Sequence, residues 1–179
     1  ARHALAHHRW FVIITALSTV LFAAMITNST FRFLQTEELA TFYDYQMASL
    51  LDGHLDVPDD AIGGEAFVFA GKIYGYFGPT PALLRLPFVL FGFAFGELSR
   101  SYMVAYFVAA LVATYLIFLH ARKLLGGSGN PSPIAVILLV GHVALGSTLF
   151  FLASRAYVFH EAILCGATFA LFSCYFSLR

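Results

Sequence analysis

The stretch PALLRLPFVLFGFAF, residues 81–95, decides how many times this chain crosses a membrane. It is apolar enough to suggest a span, yet it contains Arg85, Pro87 and Gly92. It is also shorter than the roughly 20 apolar residues that a spanning helix needs, and short apolar segments are more often interfacial or re-entrant. We therefore predict that residues 81–95 dip into the membrane surface without crossing it.

The composition indicates an integral membrane protein. Of the 179 residues, 60% are hydrophobic and 11% are charged, whereas soluble domains carry about 25% charged residues. Four transmembrane helices are predicted at about residues 10–27, 102–120, 134–153 and 157–178. The expected fold is an all-α polytopic membrane protein, with one membrane domain over residues 1–179.

The basic residues predict the orientation. If residues 81–95 do not cross, Arg122 and Lys123 emerge on the same side as Arg2 and Arg9. Basic residues accumulate on the cytoplasmic side of membrane proteins, so we expect a cytoplasmic N-terminus and an external loop at 28–101. The net charge is zero and there is no basic tract, so no nucleic-acid partner is expected.

The external loop holds nine of the ten acidic residues and is predicted to contain two structured parts. The first is an amphipathic helix at 34–51, capped by Thr36 and lying on the membrane surface. The second is a small β-hairpin at 65–77, with strands at 66–69 and 73–77 and a turn at 70–72. The hairpin's aromatic side chains form either a membrane-seated platform or its packed face, and we favour the packed face.

Two groups of polar residues are candidates for function. Asp44, soon after the first span, is either a general base or an ordinary solvated helix acid. Arg155, His160 and Glu161 lie at the external mouth of the last span, where His160 and Glu161 are expected to share one helix face with Tyr157. Ionisable residues at such a boundary usually face a cavity or a partner.

The alternative for Glu161 is a structural ion pair with Arg85 or Arg155. No zinc-protease spacing and no complete EF-hand spacing occurs, so no metal site and no cofactor is predicted. The two cysteines, Cys165 and Cys174, lie too far apart on one predicted helix to form a disulfide.

Three segments together resemble the GT-C glycosyltransferases, polytopic enzymes such as the protein O-mannosyltransferases. They are Tyr43-Asp44, ASLLDGHL at 48–55, and GKIYGYFGPTPALLRLP at 71–87. The family usually has an adjacent pair of acids where this chain has Tyr43-Asp44-Tyr45. It also has many more spans than four, so the resemblance implies that this chain is the N-terminal portion of a longer protein.

The resemblance implies an activity and a set of site residues. The chain would transfer a sugar from a polyprenyl-phosphate donor at the external face of a bacterial inner (plasma) membrane. Asp44 would be the general base. The resemblance covers about residues 10–125, and the position of further polar residues at the external face completes the predicted substrate-binding set: Lys72, Tyr74, Tyr76, Arg85, Arg155, His160 and Glu161. The expected partners are the lipid-phosphate-linked sugar, membrane lipids and further membrane subunits.

A second hypothesis is a non-catalytic small membrane subunit or scaffold of a larger complex. A transporter is a weaker third, since no internal repeat or broken helix is evident in the sequence. The arrangement of Asp44, Arg85 and Glu161 distinguishes the enzyme hypothesis from the subunit hypothesis. The enzyme requires Asp44, Arg85 and Glu161 to line one pocket that is open to lipid, whereas the subunit requires them dispersed or covered by a partner.

Overall fold

The computed structural model describes residues 2–93, 95–127 and 129–179, with the side chains of residues 2–7 outside that description. These residues form seven α-helices and one two-stranded sheet. In chain order they are α1 (Arg2–Ile26), α2 (Phe42–Leu51), β1 (Phe67–Phe69), β2 (Lys72–Tyr74), α3 (Thr80–Leu90), α4 (Ser99–Leu124), α5 (Pro133–Leu145), α6 (Thr148–Phe151) and α7 (Val158–Leu178).

Three helices are long and apolar enough to cross a membrane: His8–Ile26 within α1, all of α4, and all of α7. A fourth span results if α5 and Thr148–Ser154, which meet at a 42° bend, are one broken span. The bend has a local cause, because the Ser147 hydroxyl accepts the Leu149 N–H and starts a new helix. The prediction of an all-α polytopic membrane protein is confirmed.

Helix α4 is the centre of the bundle. It runs antiparallel to α1, as the stacked pairs Phe22–Phe107 and Phe11–Tyr115 establish. It runs parallel to α7, whose Thr168 hydroxyl donates to the Tyr106 carbonyl at 2.9 Å. α1 therefore finishes where α4 and α7 begin, and we call this end of the bundle the loop end.

The prediction that residues 81–95 do not cross agrees with this arrangement. Helix α3 has only 11 residues, and it lies at the loop end against the first turns of α4 and α7. Arg122 and Lys123, in the last turn of α4, are at the opposite end of the bundle. Arg2, which the charge argument also used, has its side chain outside the described part.

The segment between α1 and α4, which we call the loop segment (residues 27–98), folds over the loop end around an apolar core that also includes Val158 of α7. Phe42 and Tyr43 of α2 pack there with Ile62 and Phe77. The β-hairpin pairs Phe67 with Tyr74 and Phe69 with Lys72. Ala70 and Gly71 both have positive φ, 50° and 75°, as the two-residue turn of a tight hairpin requires. The hairpin was predicted correctly, although its strands are shorter than expected.

The predicted amphipathic helix at 34–51 is wrong in its first half and in its setting. Helix α2 begins only at Phe42, and Leu39 has a φ of 57°, which no α-helix allows. Thr36 does not cap a helix. The chain here is bound to α4 instead, because Arg100 donates from Nε to Glu37 Oε1 at 2.5 Å. α2 is not a surface helix, since six of its ten residues are buried.

The favoured prediction for the hairpin's aromatic residues is also wrong for its first strand. Phe67 and Phe69 are 58% and 65% exposed, so neither belongs to a packed face. Phe77, just past the second strand, is buried in the loop core.

Candidate functional site

Arg85 is the centre of a closed charge cluster at the loop end. The guanidinium has no exposed surface and lies among α2, α4 and α7. Helix α3 can place it there because it is short: Pro81 fits its first turn, and Gly92, at a φ of +85°, follows its last residues. In a longer, regular spanning helix, Arg85 would lie at a different depth in the bundle from Asp44 and Glu161.

Both terminal nitrogens of Arg85 are saturated. Nη1 donates to Asp44 Oδ2 at 2.8 Å and to the Ala40 carbonyl at 3.0 Å. Nη2 donates to Glu161 at 2.7 and 2.9 Å and to the Ser99 hydroxyl at 2.8 Å. Charge-assisted hydrogen bonds of this length are the strong ones in proteins. One side chain therefore joins α2, α3, α4 and α7.

Asp44 has one satisfied oxygen and one without a partner. Besides Arg85, its Oδ2 accepts the Gly96 N–H at 2.8 Å, whereas Oδ1 is buried with no hydrogen-bond partner. Gly96 has a φ of +84°, and an added Cβ would lie 2.9 Å from Thr36 Cγ2. A glycine is required there so that its N–H can approach the carboxylate.

Burial and neighbouring charges shift the pKa values of Asp44 and Arg85 in opposite directions. Burial raises the pKa of Asp44 above its ordinary value, although the charge of Arg85 and the hydrogen bonds from Gly96 and Arg85 lower it. For Arg85, burial lowers the pKa, but the carboxylates of Glu161 and Asp44 more than offset this and the pKa is raised. The guanidinium therefore stays charged.

Aromatic rings complete the walls of the cluster. Arg85 Cζ lies 5.2 Å from the Tyr43 ring centroid and 5.8 Å from that of Tyr102, within cation–π range. The hydroxyl groups of both tyrosines connect the helices of the cluster. Tyr43 of α2 donates to the Val158 carbonyl of α7, and Tyr102 of α4 donates to the Leu84 carbonyl of α3.

The predicted site residues of the hairpin lie outside this cluster. Lys72 is exposed and its Nζ lies 3.0 Å from Asp56 Oδ1. Tyr76 is exposed and donates to Glu65 Oε2 at 2.6 Å. Tyr74 is half-buried in the hairpin ladder. These three side chains lie on or near the hairpin, apart from the charge cluster.

Arg155 and His160 also point away from the cluster. Arg155 is exposed, with its Nη1 3.8 Å from Glu38 Oε2. The Nδ1 of His160 lies 2.8 Å from the Arg155 carbonyl oxygen, whereas Glu161 faces Arg85. The prediction that His160 and Glu161 share one face is wrong, because successive side chains on an α-helix are rotated by about 100°.

Sequence reasoning missed Ser99 and Gly96 as members of the cluster. Ser99 could have been found, since it is a polar residue at the start of the second span, at the same end as Glu161. Gly96 gave no signal, because only the folded chain shows that its N–H is aimed at Asp44.

A cleft of about 470 Å³ lies beside the cluster, between the start of α3 and the side of α7. Its lining is mostly small and apolar: Gly78, Thr80, Pro81, Ala162, Cys165, Gly166 and Phe169. Thr80 and Pro81 begin α3. Of its first turn only Thr80 and Ala82 contribute N–H groups, because Pro81 has none and the Leu83 N–H donates to the Pro79 carbonyl at 3.0 Å. Among the described residues, no group of three or more His, Cys, Asp or Glu is arranged to hold a metal ion.

The geometry meets one requirement of the enzyme hypothesis and one of the subunit hypothesis. Asp44, Arg85 and Glu161 do come together, as the enzyme requires, but their side chains have no exposed surface and line no open pocket. Comparisons with family models, curated proteins and solved structures gave no match to this chain.

Proposed function

We propose that the chain is a membrane glycosyltransferase, or part of one, that transfers a sugar from a polyprenyl-phosphate donor to an acceptor at the external face. The observation that carries the proposal is convergence. Asp44 and Glu161, which lie 41 and 76 residues from Arg85 in the chain, meet around its guanidinium. All three belong to the residue set that the enzyme hypothesis requires in one place.

The distribution of charge supports the proposed cytoplasmic N-terminus. Arg122 and Lys123 lie at the end opposite the acidic loop segment, and Arg9 lies near the start of α1, which runs antiparallel to α4. The positive-inside bias then directs the loop end outward, toward the periplasmic side where lipid-linked donors are used.

The cleft between α3 and α7 is the proposed place for the donor lipid. Its apolar side, with Gly166 and Phe169, suits a polyprenyl chain. The start of α3 offers the N–H groups of Thr80 and Ala82 and the positive end of a helix dipole, which favour a phosphate. Lys72 and Arg155 are the exposed cations of the predicted set at the loop end.

Asp44 remains the proposed general base, and its burial sets a condition for that role. A base must come within hydrogen-bond reach of the acceptor hydroxyl. Asp44 has no exposed surface, so the cluster has to open, with Arg85 or Glu161 moving aside, before an acceptor can reach the carboxylate. The closed cluster is then a resting arrangement of the enzyme.

Polyprenyl phosphate is the best probe, because it is the product of every such donor, whatever the sugar. We expect the purified protein in detergent to bind polyprenyl phosphate more tightly than polyprenol, measured by native mass spectrometry. Lys72→Ala should weaken the binding, and the matched variant Lys123→Ala, at the opposite end, should not. Equal binding of the phosphate and the alcohol would contradict the proposal.

A second candidate function is favoured by one observation, the complete burial of the cluster. A non-catalytic subunit or scaffold needs the charges only to fasten the loop segment to the spans. The two functions differ in the effect of Asp44→Asn. In the transferase this variant stays folded and loses sugar transfer; in a scaffold it stays folded and leaves assembly with the partner subunits intact.

A further inference from the structure

The formal charges in the cluster do not sum to zero. Asp44 and Glu161 supply two carboxyl groups, and Arg85 supplies one guanidinium. All three side chains are 0% exposed, so water does not screen them. In the part of the chain that the structure describes, no other basic side chain forms an ion pair with either carboxyl group. If both were ionised, the cluster would carry one uncompensated negative charge.

An uncompensated charge in such a place is unstable. The cost of burying an isolated carboxylate is so large that the group takes up a proton instead. Two carboxyl groups that share one site respond in the same way, because the pKa of one is strongly raised. The cluster must therefore gain one positive charge. A proton can supply it without an enclosed cavity, whereas a metal ion needs room and several further ligands.

The hydrogen bonds distinguish the two carboxyl groups. Both oxygens of Glu161 accept from Arg85 Nη2, at 2.9 and 2.7 Å, as expected for a carboxylate. Asp44 accepts only at Oδ2, from Arg85 and from the Gly96 N–H, and its Oδ1 is buried without a partner. An unpaired neutral hydroxyl there costs much less than an unpaired charged oxygen.

We infer that the resting cluster holds one proton on Asp44 Oδ1, so that Asp44 is a neutral carboxylic acid and Arg85 forms its ion pair with Glu161. The groups that face Asp44 are consistent with this assignment. Tyr43 precedes it on α2, Arg85 faces it from α3, Tyr102 from α4 and Glu161 from α7; Arg85 is the basic residue among them. Burial raises the pKa of Asp44, in the same direction.

The stored proton matters for function. A protonated carboxyl group cannot accept a proton from an acceptor hydroxyl, so a closed cluster is inactive as a general base. If the proposed transferase uses Asp44, opening the cluster to water must first release this proton. The protonation state itself rests on the geometry of the cluster and holds equally for a non-catalytic membrane subunit.

Infrared spectroscopy of the wild-type protein tests the inference without any substitution. At neutral pH we expect the carbonyl stretch of one protonated carboxyl group per chain. Labelling aspartate with ¹³C at the side-chain carboxyl should shift this band, and labelling glutamate should leave it in place. The other aspartates are Asp52, Asp56, Asp59 and Asp60, and none of them is buried.

Two results would overturn the inference. One is the absence of the band at neutral pH, which would mean that both carboxyl groups are ionised. The other is a band that shifts with labelled glutamate, which would place the proton on Glu161. Asp44→Asn should abolish the band, and Asp60→Asn, at an exposed position, is the matched control. Failure to bind polyprenyl phosphate would leave this result unchanged, so the two proposals fail separately.

Discussion

Arg85 Nη2 lies 2.7 Å from Glu161 Oε2, although the two residues are 76 positions apart and neither side chain is exposed. This contact joins the short helix α3 to the first turn of α7, which is long and apolar enough to cross a membrane. The loop segment is therefore held to the spans by charge as well as by its apolar core, and the contact has measurable consequences.

Arg85→Met should be strongly destabilising. It removes the cation between Asp44 and Glu161 and leaves two buried carboxyl groups, and breaking a buried ion pair from one side costs about 3–5 kcal/mol. Arg85→Lys should recover only part of the loss, because an ammonium lacks the planar fork that reaches both carboxyl groups. Thermal unfolding in detergent measures both variants. Wild-type stability in Arg85→Lys would show that the shared geometry is unimportant.

Gly75→Ala should disturb the core of the loop segment. A Cβ at this position would lie 2.3 Å from Phe42 Cζ and 2.9 Å from Ile62 Cδ1, both fully buried. Overpacking of this kind costs about 1–3 kcal/mol. The matched control is Gly64→Ala, where a Cβ meets nothing within 4 Å. Equal melting temperatures for the two variants would contradict the packing described around Phe42.

Thr168→Val tests the contact between α4 and α7. It removes the hydrogen bond from the Thr168 hydroxyl to the Tyr106 carbonyl and preserves the shape of the side chain. Hydrogen bonds between membrane helices contribute about 0.6 kcal/mol on average. Thr114→Val is the control, because the Thr114 hydroxyl bonds only to Ala110 of its own helix. A larger loss in the control, seen in unfolding experiments, would argue against this helix pairing.

The structure agrees with the prediction from residues 81–95, because Thr80–Leu90 is too short to be a candidate span. Length and polarity are properties of the sequence itself, and a spanning helix needs about 20 apolar residues. The spans were identifiable for the same reason, and so was the tight hairpin turn before Lys72. These features depend on local chemistry and on the thickness of the membrane.

The start of α2 could not be predicted, because a distant residue decides it. Thr36 and Glu37 have the sequence of a helix start, yet Glu37 is bound to Arg100, 63 positions away. The charge cluster was predictable only in part. The ion pair of Glu161 with Arg85 was one of the alternatives predicted for Glu161, and the structure confirms it. Neither the presence of Asp44 on the same guanidinium nor the role of Gly96 follows from the sequence.

The surface pair of Lys72 and Asp56 predicts a small effect of pH. The hydrogen bond from Lys72, with its charge, holds the pKa of Asp56 below its ordinary value. A carboxyl group whose folded pKa is lowered stabilises the fold above its unfolded pKa, and that contribution disappears as the pH falls through the folded pKa. Because the pair is exposed, the effect on stability is slight and weakens with salt.

Lys72→Ala should therefore raise the pKa of Asp56 toward its ordinary value. Carboxyl ¹³C chemical shifts, followed by NMR during a pH titration, measure this directly. Lys123→Ala is the control and should leave the Asp56 titration unchanged. An unaltered Asp56 titration in Lys72→Ala would show that the two side chains do not pair in solution.

Carboxyl footprinting tests the closed cluster most directly. The folded protein is treated in detergent with a water-soluble carbodiimide and glycine ethyl ester, and each acidic residue is read out by mass spectrometry. We predict that Asp52, Asp59 and Asp60 are modified while Asp44 and Glu161 stay unmodified until the protein unfolds. Modification of Asp44 at the rate of Asp60 in the folded protein would contradict the buried cluster around Arg85.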